Sequence, residues 1–185
     1  MCIRDRNDIM SMFGWEVEDM EKQGLLSFVS IMPSLPTRNI KDSDIAQLVK
    51  LYVYNLFTKI EQAVSKVNAR RIVIDSVSLV EIFIKDEYLA KVALMQLVEK
   101  LKEMGITSLL TSGVPETTDA LSSRGLIEFV VDSIVKLDFI PVTEEFKRTL
   151  LIRKMRRTNH STLVHPMDIT KEGLKIIEVK DIDKL

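Results

Sequence analysis

Cysteine is nearly absent: Cys2 is the only one in 185 residues. That excludes a disulfide framework and a Cys-based zinc site. Histidine is almost as scarce, with only His160 and His165. This argues against a His-rich metal centre, and a catalytic triad would have to use one of these two. No apolar run reaches the roughly 18 residues that a membrane helix needs. The start of the chain carries Arg4, Asp5 and Arg6 and no apolar stretch follows, so no secretory signal is visible. The expected location is a reducing cytoplasm. Neither sign of charge dominates: 26 Lys and Arg face 27 Asp and Glu, for a net charge of −1. A polybasic, histone-like protein and an acidic disordered tail are both excluded. Glycine is sparse, and none of Gly14, Gly24, Gly105, Gly113, Gly125 and Gly173 precedes a Lys-Ser or Lys-Thr pair. The phosphate loop G-x-x-x-x-G-K-[ST] is therefore not in the chain. G-x-G-x-x-G is missing too, which argues against a Rossmann dinucleotide site.

What is present suits a globular domain. Apolar residues make up 46% and charged residues 29%. A chain of this length buries roughly 70% of its unfolded surface, enough for a real core. No internal repeat or low-complexity stretch stands out. Residues 16–22 form a short charged helix stopped by Gly24, and residues 26–31 an apolar strand. Asp42 and Ser43 offer N-caps for a long helix whose apolar positions include Ile45, Val49, Tyr52, Leu56 and Ile60. Residues 71–75 and 106–110 suit buried parallel strands, the first buried on both faces. The helix at residues 86–104 lies between them, and another is expected at 116–123. Residues 129–139, 146–155, 161–167 and 174–179 then follow as strands with little helix between them. Alternation followed by a run of strands predicts an α/β fold, a doubly wound sheet with an antiparallel extension.

Three local features carry chemistry. Arg71-Ile72-Val73-Ile74-Asp75-Ser76 brings a strand up to an acid at its carboxyl end. Ligands bind outside such ends in open α/β sheets. An acid there holds Mg²⁺ through water or simply caps the next helix. Leu109-Leu110-Thr111-Ser112 sets two hydroxyls at the end of the next strand, either beside a γ-phosphate or in an ordinary polar turn. Lys147, Arg148, Arg153, Lys154, Arg156 and Arg157 fall within eleven residues that hold no acid. Strand alternation sets Lys154 and Arg156 on one face and Arg153 and Arg157 on the other. Such a run reaches an anionic group, protects a solvated edge or contacts nucleic-acid phosphates. No aromatic interrupts it, so base stacking lacks a platform there.

These residues, in this order, resemble the later part of a KaiC-like domain of the RecA-type ATPases. Phe13-Gly14-Trp15, the acidic stretch after it and Gly24-Leu25-Leu26 resemble the family's "FGWD…G-L" segment. Ile72-Val73-Ile74-Asp75-Ser76 resembles its Walker B strand, and Leu109-Leu110-Thr111-Ser112 its "LLTSE" strand. Residues 125–132 resemble "GVEEFVADG". Lys154-Met155-Arg156 with Thr158, His160, His165-Pro166 and Ile169-Thr170 resembles "KMRGTxH…HPFxIT". Gly173-Leu174-Lys175-Ile176 resembles the closing strand. The chain departs from the pattern at Gly113, Ser133 and Arg157, where the family usually has Glu, Gly and Gly.

The resemblance implies a RecA-like P-loop NTPase core, a mostly parallel sheet flanked by helices with antiparallel strands at the C-terminal end. The first strand and phosphate-loop helix would be missing. It implies ATP and Mg as cofactors of the parent protein, with ATP hydrolysis or autokinase activity in a hexameric ring that meets signalling partners. Asp75 would hold Mg through water, with Ser76 as its polar neighbour, and Thr111 and Ser112 would flank the γ-phosphate. Lys154 and Arg156 would reach the nucleotide of the adjacent subunit. The family's Walker A loop and paired glutamates would lie upstream. The opening Met-Cys-Ile-Arg-Asp-Arg resembles translated adaptor sequence, which suggests residues 1–6 as a non-native leader and 7–185 as a partial domain. On that account the chain alone is inactive. The alternative is a non-catalytic RecA-like module that docks on a ring partner; nucleic-acid binding through the basic strand is a third reading.

Overall fold

The computed structural model describes residues 3–30, 42–84, 86–114, 127–142 and 145–177. They belong to two compact units, Glu18–Val130 on one side and Met1–Val17 with Val131–Leu185 on the other. The first unit alternates helix and strand. Helix α1 (Ile3–Met12) belongs to the second unit, and α2 (Val17–Lys22) spans the boundary. The first unit then holds α3 (Asp42–Val67), β1 (Arg71–Ile74), α4 (Ser78–Phe83), α5 (Glu87–Glu103), β2 (Thr107–Leu110) and α6 (Ile127–Val130).

Helix α5 is the centre of this unit. The Asp86 carboxylate caps it, accepting from the Leu89 N–H at 2.8 Å. Glu87 in its first turn and Lys100 and Lys102 in its last complement the helix dipole. Ala90, Ala93, Leu94, Leu97 and Leu101 recur at helical spacing and are buried against Val53, Leu56 and Ile60 of α3. Lys100 Nζ meets Glu61 Oε1 of α3 at 2.7 Å, and this partner raises the Lys100 pKa. Tyr52 of α3 packs against the same cluster, and burial pushes its phenol pKa up.

Strands β1 and β2 pair in parallel, Arg71 to Thr107 through Ile74 to Leu110. Ile72, Ile74 and Leu110 pack on the helical core. Val73 and Leu109 point the other way and are 64% and 62% exposed. The expectation that β1 is buried on both faces is therefore corrected. A parallel strand is buried twice only when layers cover both sides. Here α3, α4 and α5 cover one.

The second unit is an antiparallel meander, β3 (Ser133–Val142), β4 (Glu145–Met155), β5 (His165–Thr170) and β6 (Gly173–Ile176), in that spatial order. Val135, Leu137 and Phe139 share one face with Leu150 and Ile152 across the ladder. Phe139 and Phe146 stack at 5.0 Å on that face. Thr170 Oγ1 closes the β5–β6 turn by bonding to the Gly173 carbonyl, and Gly173 takes φ +110°, a value that side chains rarely adopt.

Several boundaries differ from the sequence expectation. Residues 26–30 form no strand, and no strand stands beside them to complete a ladder among the described residues. The helix expected at 116–123 lies outside the described residues. Residues 127–130 form the single turn α6, so the strand expected from 129 starts at Ser133. The strand expected at 161–167 starts only at His165, because the Ser161 hydroxyl accepts from Leu163 N–H in a local turn. Helix α4 was not expected, although Val77, Val80 and Ile84, all buried, carry its i, i+3, i+7 spacing. No helix among the described residues is long and apolar enough to cross a membrane.

Two predictions follow from burial and backbone shape. Leu97 is 1% exposed, so Leu97→Ala should cost about 2–5 kcal/mol, whereas Leu109→Ala on the bare face should stay within about 0.5 kcal/mol. Urea midpoints of the two variants check this contrast. Arg157 takes φ +62°, the left-handed region in which a side chain costs roughly 1–2 kcal/mol. This is the position where the resembled pattern has Gly. Arg157→Gly should therefore raise Tm by about 2–4 °C, while an unchanged or lower Tm would refute the strain argument.

Candidate functional site

The β1–β2 register decides the first cluster. Because Ile74 stands beside Leu110, the next residues, Asp75 and Thr111, emerge side by side at the carboxyl ends of the two strands. The Thr111 N–H donates to the Ile74 carbonyl at 3.1 Å, and the Val77 N–H donates to the Thr111 carbonyl at 3.0 Å. The Thr111 hydroxyl donates to Asp75 Oδ1 at 2.7 Å. This is a short, charge-assisted bond. A carboxylate has about four lone-pair sites, so most of its accepting capacity remains for a cation or its water shell. The Asp75–Ser76 peptide is cis. Two residues on, α4 begins at Ser78, whose Oγ accepts from the Gly113 N–H at 3.0 Å and stands 3.5 Å from Ser112 Oγ. Asp75, Ser76, Thr111 and Ser112 are thus gathered at one end of the parallel sheet. Ser78 was missed; only its place three residues after the acid marked it.

Gly113 does not depend on its lack of a side chain. A Cβ there would meet Ser78 Oγ at 3.9 Å, an ordinary contact, so the glycine in place of the family's Glu is not imposed by crowding. Among the described residues, no group of three or more His, Cys, Asp or Glu stands ready to hold a metal. A single carboxylate still suits Mg²⁺, which is held by one or two carboxylates with water and phosphate oxygens supplying the rest.

The second cluster lies in the antiparallel unit. Ile134 pairs with Lys154 but Val135 pairs with Ile152, so Arg153 is the extra residue of a β-bulge. The bulge corrects the simple alternation expected for the basic run. Up to Ile152, even-numbered residues share the apolar face of Val135 and Leu137. Beyond the bulge Lys154 shares the face of Lys136 and Asp138 instead. Lys154 and Arg156 do stay on one side. Arg157 lies past the end of β4 in a turn, so it does not share a strand face with Arg153. Lys154 Nζ donates to the Val131 carbonyl at 2.7 Å, and Arg156 Nη1 meets Asp132 Oδ1 at 3.4 Å.

The rest of the basic run is locally engaged. Lys147 pairs with Glu145; this bond raises the lysine pKa and lowers that of the carboxyl. Arg148 lies over the Phe139 ring, 5.6 Å from its centroid. The acid for Lys147 thus comes from two residues earlier on the same strand, and the aromatic for Arg148 from across the ladder. His165 Nε2 stands 2.8 Å from Ser161 Oγ, but its Nδ1 is buried without a hydrogen-bond partner among the described residues. The third, orienting group of a triad is therefore missing, and the Ser161–His165 pair serves the turn.

Comparison with known proteins gives a consistent result. The family model described as "ATPase: KaiC" matches residues 5–181. A UPF0273 protein of Aeropyrum pernix is 34% identical over 165 residues, covering 89% of this chain and 65% of that protein. The circadian clock protein KaiC3 of Synechocystis is 30% identical over 174 residues, 92% of this chain and 33% of that one. The crystal structure of a KaiC-like protein from the hyperthermophilic archaeon Pyrococcus horikoshii superposes with a TM-score of 0.77 at 31% identity, over 95% of this chain and 71% of that chain. The chain thus spans about two thirds of the length of the archaeal relatives named here. A strand ending in Asp75 beside Thr111, an antiparallel meander carrying Lys-Met-Arg and a match over almost the whole chain place this protein in the KaiC ATPase family, with the family's RecA-type fold.

Proposed function

We propose that this chain carries part of an ATP-hydrolysing site: Asp75, Ser76, Thr111 and Ser112 on one subunit, and Lys154 and Arg156 directed at the nucleotide of an adjacent copy in a ring. The observation that carries this reading is the Thr111–Asp75 hydrogen bond at the carboxyl end of the parallel sheet. It fixes the carboxylate where open α/β sheets bind ligands. Asp75 would hold Mg²⁺ through water, and Mg²⁺ when bound would neutralise charge on the phosphates. Thr111 orients the carboxylate. Ser112 and Ser78 offer hydroxyls on the same rim. Lys154 and Arg156 supply the positive charge for the transferring phosphate, and they act in trans. The chain has no G-x-x-x-x-G-K-[ST], so by itself it neither hydrolyses nor tightly binds ATP.

Three measurements test this. Titration of the 185-residue chain with Mg·ATP should give no saturable binding at micromolar concentration, and tight binding would sink the half-site idea. In the protein expressed from its complete reading frame, Asp75→Asn should lower kcat about 10²–10³-fold, and Arg156→Ala about 10³-fold or more. Mixing the two inactive variants should restore partial activity, because some neighbouring copies then assemble an intact site. A mixture as inactive as either variant would mean that the cations act within one subunit.

A further inference from the structure

Arg156 is held twice by one residue. Its backbone N–H donates to the Asp132 carbonyl at 2.9 Å, and its Nη1 meets Asp132 Oδ1 at 3.4 Å. The main-chain bond carries the β3–β4 ladder one step past the Ser133–Met155 pair and so fixes where the Arg156 backbone stands. The side-chain contact then gives the guanidinium a direction. Next along the chain, Arg157 at φ +62° turns the backbone away from the strand. Lys154 is tied to the preceding residue, through the Val131 carbonyl. Residues 131 and 132 therefore present both cations.

The strength of the Arg156–Asp132 contact is informative. The two side chains are 48% and 59% exposed, and ion pairs that open to water add little to stability. At 3.4 Å the contact is longer than a good charge-assisted bond. A guanidinium carries five N–H donors in a planar fork, and the Asp132 contact at Nη1 gives that plane a direction. A phosphate oxyanion approaching that fork finds it already oriented. A long side chain on an exposed turn would otherwise have to lose its rotamer freedom at the moment of use. The β-bulge at Arg153 contributes by moving Lys154 to the face of the ladder that Ile134 and Lys136 share.

We propose that Asp132 is a positioning residue, which orients the Arg156 guanidinium toward a phosphoryl group without itself touching the nucleotide. The proposal rests on the reading of Arg156 as the cation that neutralises charge at the transferring phosphate. The experiment uses the protein from the complete reading frame, with steady-state kinetics in Mg·ATP and melting temperature measured in parallel. Asp132→Ala should lower kcat about 10–100-fold, the scale of a misplaced catalytic group, with KM for ATP changed less than about twofold. Asp132→Asn keeps an acceptor oxygen and should recover most of the loss. Added to Arg156→Ala, Asp132→Ala should have no further effect on kcat. Tm should shift by less than about 3 °C, as expected for an exposed pair. A normal kcat in Asp132→Ala, a loss that adds fully to that of Arg156→Ala, or a loss that follows Tm would overturn the positioning role. If Arg156→Ala itself keeps full kcat, the reading of Arg156 is what fails, and Asp132 loses its role with it.

Discussion

The parallel pairing of β1 with β2 is the constraint on which the first unit turns. Each strand has only four residues, and together they form the whole sheet of that unit among the described residues. So small a ladder is held by what packs on it, namely Ile72, Ile74 and Leu110 seated on the helical cluster of α3, α4 and α5. Because side chains alternate, the register that buries Ile72 and Ile74 also decides which residues leave the strand ends together. A slip of one residue would expose the buried set and separate Asp75 from Thr111. The core and the polar rim are thus one specification.

The second unit solves a different problem. Its strands carry an apolar face with Val135, Leu137, Phe139, Leu150 and Ile152, and a face that includes Lys136, Asp138 and Thr149. Lys154 and Arg156 have the parity of the apolar face. Without the bulge at Arg153 they would stand on the face of Leu150 and Ile152, where Arg148 already lies over Phe139. One extra residue moves them to the other side and leaves Met155 opposite Ser133. The side chain of the bulged residue need not do chemistry for the bulge to matter.

Most of the fold was legible because its signals are local. Residues 86–104 were expected as one helix between two strands, and α5 follows them within a residue at each end. The run from Arg71 to Asp75 and that from Ile106 to Leu110 gave β1 and β2. What stayed hidden depends on partners distant in sequence. Residues 26–30 are apolar enough for a strand, yet apolarity does not provide a neighbour to bond to. The one-sided burial of Val73 depends on which layers are present. The bulge is set by pairing across the hairpin, so no pattern within β4 reveals it. Ser161 and Thr111 are both hydroxyls next to extended backbone; one closes a turn and the other orients an acid, and only the register tells them apart.

The two candidate clusters share a physical form. In each, one hydrogen bond at an exposed rim orients a charged group: Thr111 orients the Asp75 carboxylate, and Asp132 orients the Arg156 guanidinium. In each, backbone bonds of a ladder that extends just past its last strand pair set the position: Thr111 N–H to Ile74 in one, Arg156 N–H to Asp132 in the other. Burying these groups would fix them more firmly, but desolvation would then oppose their charge. Leaving them wholly free would keep the charge and lose the geometry. A charged group at the end of a rigid ladder, oriented by a side-chain bond, keeps its charge in water and has little freedom left to give up. That compromise suits electrostatic stabilisation of phosphoryl transfer, which depends on where charges stand before the reaction begins.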